Sequence, residues 1–140
     1  MRILADGLYM TVGEQRSVAA ATTADEYDAL WQRLAADSSP AGDPPPVDME
    51  REMVFYLGMA GSSSCPEEFQ RLVVDELEAL VYAEWQVAST GNACTDDLQS
   101  QGLLLAVSRD ELPTGPFTLS LRVEPVCRVC PDDVLVQPDS

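Results

Sequence analysis

The chain has 140 residues, and its 24 carboxylates against eight arginines, with no lysine or histidine, leave a formal charge of −16. That length suits one domain with a single real core, and an apolar content of 46% belongs to a globular protein, not a disordered one. So acidic a surface repels phosphate backbones and anionic lipids, which argues against nucleic acid as a partner, and no apolar stretch reaches the ~20 residues of a membrane span.

Absent lysine beside abundant alanine, aspartate, valine and arginine fits either a GC-rich coding source or a salt-loving one. Met1–Gly7 holds no hydrophobic leader segment, so an exported form is expected to have shed its signal before this sequence starts.

The first clear element is a helix over residues 23–37. Thr23 and Glu26 form a capping box, Asp25, Glu26 and Asp28 favour the helix dipole, and Tyr27, Leu30, Trp31 and Leu34 share one face. Asp37-Ser38-Ser39-Pro40 ends it. Residues 40–46, with three consecutive prolines, can be neither helix nor central strand and read as a stiff connector. Met53–Met59 is a short unbroken apolar run, expected as a central strand covered on both faces.

Residues 66–88 admit two readings. Phe69, Leu72, Val73, Leu77, Leu80 and Val81 fit helical spacing after Pro66-Glu67-Glu68. Ala79, Val81, Ala83, Trp85 and Val87 fit one face of a strand, with Leu72-Val73-Val74 as its partner before Asp75-Glu76. Leu103–Val107 is a second buried strand, and Leu112–Pro116 is a turn. Phe117, Leu119, Leu121 and Val123 then alternate with polar residues, so one face is expected in the core and the other in water. The tail 131–140 is acidic and is expected to fray.

The four cysteines suggest staples more than chemistry. Cys65 and Cys94 sit singly in polar loops, and a bridge between them would constrain the unfolded chain by about 3–4 kcal/mol. Such bridges persist in oxidising compartments. Cys127 and Cys130 fit a local disulfide if the backbone turns at Arg128-Val129; swapped connectivities stay open. A redox site would need the first cysteine at a helix N-terminus, and a zinc site would join two close-spaced pairs where one here is split. The Ser62-Ser63-Ser64 cluster has neither histidine nor lysine to deprotonate it, so no catalytic residue is assigned. Asp96-Asp97 and Asp132-Asp133 lack the spacing of a calcium loop and read as solvated surface. Tyr27 and Trp31 read as core, whereas Trp85 has the option of an outer sheet face.

Taken in order, Asp25-Glu26-Tyr27-x-x-Leu30-Trp31, a proline-rich connector, Val47–Val54, a glycine-containing loop, paired strands and Leu112-Pro113-x-Gly115-Pro116-Phe117 make a pattern. It resembles the PrcB C-terminal-like domain family, which includes a protease-complex accessory subunit and small secreted bacterial proteins. The resemblance covers about residues 22–124, and the family's Pro-Thr-Gly-Gly-Tyr loop is replaced here by Gly58–Cys65. It implies a non-catalytic accessory module, and it favours a strand hairpin over 66–88.

The fold expected is therefore α+β: one domain over 1–140, with an N-terminal segment 1–21 and a core region 22–124. A mainly antiparallel sheet of about five or six strands would carry one N-terminal amphipathic helix. The function expected is a secreted or cell-envelope protein-interaction module that uses no cofactor. It would present loops around Ser62, Ser63, Ser64, Asn92, Asp96 and Asp97 to a protein partner. The alternatives are a metal- or small-ligand-binding protein using acidic loops and Cys127/Cys130, and a carboxylate-based hydrolase.

Overall fold

The structure, a computed structural model, describes residues 1–5, 17–38, 43–61, 67–87, 99–121 and 134–137. In chain order its elements are β1 (Arg2–Ala5), β2 (Ser17–Ala21), α1 (Ala24–Ser38), β3 (Glu52–Gly61), β4 (Glu67–Asp75), β5 (Leu80–Val87) and β6 (Gln99–Ser108). A short 3-10 turn, η1 (Arg109–Glu111), then leads to β7 (Phe117–Ser120) and β8 (Val134–Val136). The α+β class holds. The details differ: among the described residues there are eight strands in two sheets, and the helix follows two strands instead of leading the chain.

Two sheets and a helix make three layers. The inner sheet has the order β1-β6-β3-β2 and the outer sheet β4-β5-β7-β8. At the centre of the inner sheet, β3 and β6 pair without a break from Glu52↔Ser108 to Gly61↔Gln99. Met53, Phe55 and Leu57 of β3 belong to a core with Val81, Ala83, Phe117, Leu119 and Val136 of the outer sheet. The alternate residues Val54 and Tyr56 pack with Tyr27, Leu30, Trp31 and Leu34 of α1. Both faces of β3 are thus covered, which is why its sequence is an apolar run without alternation. The strand extends to Gly61, so the glycine-containing stretch at 58–61 is strand, not loop. Phe55 meets Phe117 edge to face at 6.2 Å between the sheets.

The helix starts as its sequence requires. Thr23 Oγ1 accepts the Glu26 N–H (3.1 Å), but Glu26 reaches one residue further back than a simple capping box. Its Oε1 accepts both the Thr22 N–H (2.8 Å) and the Thr22 hydroxyl (2.9 Å). A helix this short is marginal alone, so the buried face of Tyr27, Leu30, Trp31 and Leu34 carries most of its stability.

Of the two readings for 66–88, the described residues 67–87 show strands: β4 and β5 are an antiparallel hairpin with Phe69, Leu72, Val74, Val81, Ala83 and Trp85 facing the inter-sheet core. The chain then crosses to the inner sheet as β6 and returns as β7, parallel to β5. Phe117, Leu119 and Leu121 face the core as expected, but the opposite face is not simply wet, since Ser120 is 5% exposed. Two further corrections concern the ends. Within the segment 1–21, β1 pairs with β6 and β2 with β3, so both strands belong to the inner sheet. The tail does not fray at Val134–Val136, which pairs with β7 and buries Val136 in the core.

Candidate functional site

The loops singled out from sequence cannot be placed. Cys65, Cys94, Cys127 and Cys130, the serines Ser62, Ser63 and Ser64, Asn92, and the doublets Asp96-Asp97 and Asp132-Asp133 all lie outside the described residues. Tyr27 and Trp31 are core, as expected. Trp85 turns inward: its ring meets Phe69 edge to face at 5.7 Å, and its Nε1–H donates to the Leu121 carbonyl at 2.8 Å.

One polar cluster lies where β1, the proline connector and α1 meet. Arg2 donates to the two Glu52 carboxylate oxygens (3.0 and 3.4 Å) and to the Pro46 carbonyl (3.1 Å). The Tyr27 hydroxyl donates to the Pro45 carbonyl at 2.7 Å. The hydrogen bond from Arg2 holds the Glu52 carboxyl below its ordinary range, and burial pushes the Tyr27 phenol up to about 12. Nearby, Arg109 donates to the Thr22 carbonyl (2.6 Å) and the Met49 carbonyl (3.0 and 3.3 Å), while its own N–H meets the Arg51 carbonyl. These arginines and carbonyls tie four chain segments together. The Glu52 shift follows from its bond to Arg2 and the Tyr27 shift from burial, so the cluster reads as structural.

A small cavity of about 220 Å³ lies where β2 approaches β8, lined by Ala20, Thr22, Glu26 and residues 134–137. Glu26 is already occupied there, its Oε1 accepting from the Thr22 N–H and hydroxyl.

The remaining feature is the free end of the β4–β5 hairpin. Its turn, Glu76–Ala79, is set by Asp75, whose Oδ1 accepts the Glu78 N–H at 3.2 Å, and by Ala79, which adopts φ +50°. That left-handed backbone is unusual for alanine and is held by the Thr118 N–H donating to the Ala79 carbonyl at 2.8 Å. The turn lifts Leu77 into solvent, 97% exposed, with Glu76 and Glu78 on either side. Beside it runs an open groove of about 520 Å³, lined by Val73, Val74, Asp75, Glu76, Leu77, Tyr82 and Glu111. Val73 stands opposite Tyr82 on the solvent face of the outer sheet. The next pair along, Arg71 and Glu84, makes a cross-strand salt bridge, so that arginine is already matched. Glu111 lies 3.6 Å from the Met1 ammonium, an exposed pair of little strength.

An apolar knob, a half-buried tyrosine and several carboxylates are groups that can bind a partner. Among the described residues no group of three or more histidine, cysteine or acidic side chains is placed to hold a metal ion, and no helix is long and apolar enough to cross a membrane. Sequence reasoning missed this surface because, although the family resemblance favoured a hairpin over 66–88, Leu77 had a place only in the helical alternative. The available signal was a lone apolar residue inside the turn-like run Asp75-Glu76-Leu77-Glu78. The chain matches no family model, and no curated protein or solved structure is significantly similar to it.

Proposed function

We propose that this protein is a non-catalytic interaction module of the cell envelope or exterior, docking a protein partner at the free end of the β4–β5 hairpin. The observation that carries the reading is Leu77, almost wholly exposed at the head of a groove with Val73 and Tyr82. An isolated leucine held out between two carboxylates contributes nothing to the fold. Buried by a partner, it would contribute roughly 1.5–3 kcal/mol. The acidic rim and the charge of −16 favour a partner with basic groups around an apolar recess, and would speed its encounter. The even cysteine count and the spacing likeness to the PrcB C-terminal domain support the same reading, an exported accessory module.

Selection of displayed random peptides on the native protein tests this. The enriched peptides are expected to combine arginine or lysine with large apolar residues. They should lose at least about fivefold in affinity on Leu77→Ser with Glu76→Gln, at an unchanged melting temperature. Neutral peptides, or peptides that bind the variant equally well, would end the reading.

A further inference from the structure

We propose that the outer edge of β4, from Leu72 to Asp75, receives an extended basic segment of the partner protein as an added strand. The inference rests on the docking surface proposed above and specifies how it is used.

Geometry places the groove along the strand's edge. Successive residues of a strand point to opposite faces, yet Val73, Val74 and Asp75, three in a row, all line it. A groove on one face would be lined by alternate residues only. In the outer sheet β4 is the terminal strand, and among the described residues it pairs with β5 alone. The edge is not uniform. A bulge between Phe69 and Arg71 interrupts the register, and Arg71 puts a charge beside it; both devices discourage pairing there. From Leu72 to Asp75 the register with Ala83 to Leu80 is unbroken, leaving a regular template at the end that carries the groove. The other edge strands, β1, β2 and β8, have four, five and three residues, and among the described residues none of them lines this groove.

The chemistry of the occupant follows from the lining. Val73 and Tyr82 offer an apolar strip on the face of the sheet, while Asp75, Glu76 and Glu111 close its end with carboxylates, and among the described residues no arginine lines the groove. A second copy of this chain would bring the same carboxylates against themselves in a molecule of charge −16, so self-addition is disfavoured. A strand alternating arginine or lysine with a branched apolar residue answers both features, with backbone hydrogen bonds supplying affinity and the alternate side chains selectivity.

The test uses two isomeric peptides of alternating arginine and valine, equal in charge and composition. One is N-methylated on the odd amides and the other on the even amides. An added strand pairs through one edge only, so one isomer should bind the native protein about tenfold or more tighter than the other, and amide exchange at residues 72–75 should slow with the tighter one. Equal affinities overturn strand addition; if both then weaken on Asp75→Asn with Glu76→Gln, the docking surface itself stands. Binding by neither isomer also overturns strand addition, and the peptide selection above then decides the broader reading separately.

Discussion

The two sheets have four strands each but are held in place differently. The inner sheet is covered twice, by α1 on one face and the outer sheet on the other, and its margin is tied down by Arg2, Tyr27 and Arg109. The outer sheet has its core on one face, and its hairpin ends in an exposed leucine between carboxylates. Polar groups in the first region are spent on backbone carbonyls and a helix cap. In the second, Asp75 sets the hairpin turn, but Leu77 stands in solvent with no comparable structural task. A small domain can therefore keep its stability in one layer and its recognition chemistry at the edge of another.

The largest effect should come from setting two apolar residues against each other. Trp31→Ala removes a buried ring from the helix face and should cost about 3–5 kcal/mol in denaturant unfolding. Leu77→Ala should stay within about 0.5 kcal/mol in the same measurement. Comparable losses would erase the distinction between the regions.

Next comes Arg109→Met, which keeps the stem but leaves the Thr22 and Met49 carbonyls without their charged donor. A loss of about 2 kcal/mol is expected by the same unfolding assay, because both carbonyls are part-buried. An unchanged midpoint would show that the clamp does not hold the layers together.

The smallest effect concerns Glu52, whose carboxyl is held below its ordinary range by Arg2. The folded state binds its proton less readily than the unfolded chain, so the contribution is full above about pH 5, the upper limb of the ordinary carboxylate titration, and fades as pH falls through the lowered value. Melting temperatures of Glu52→Gln and native protein should thus differ slightly near neutrality and converge in acid. A gap that widens in acid would contradict the pairing with Arg2.

How much of this was legible in the residues depends on whether the cause was local. The α1 boundary was readable because Thr23 and Glu26 act within one turn, and β3 and β6 because their apolar runs admit only burial on both faces. β1, β2 and β8 were not. Ser17-Val18-Ala19-Ala20-Ala21 carries almost no strand signal of its own, and its pairing with β3 is what makes it a strand. The parallel pairing of β5 with β7 depends on a crossing through the other sheet, which no window of sequence contains. Arg109 shows the same limit at one residue: its partners, Thr22 and Met49, are distant in the chain. The surface at Leu77 was hidden for a different reason. Its apolar neighbours satisfy helical spacing as well as strand alternation, and only the hairpin turns Leu77 outward.

Amide chemical shifts, followed while the arginine–valine peptide is titrated into the native protein, test the central idea most directly. The changes should fall on residues 72–77 and on Glu111, leaving the α1 amides where they were. Shifts spread equally over Asp25, Asp28, Asp48 and Glu50 would mean that the peptide answers only to overall charge, and that the hairpin has no special part in recognition.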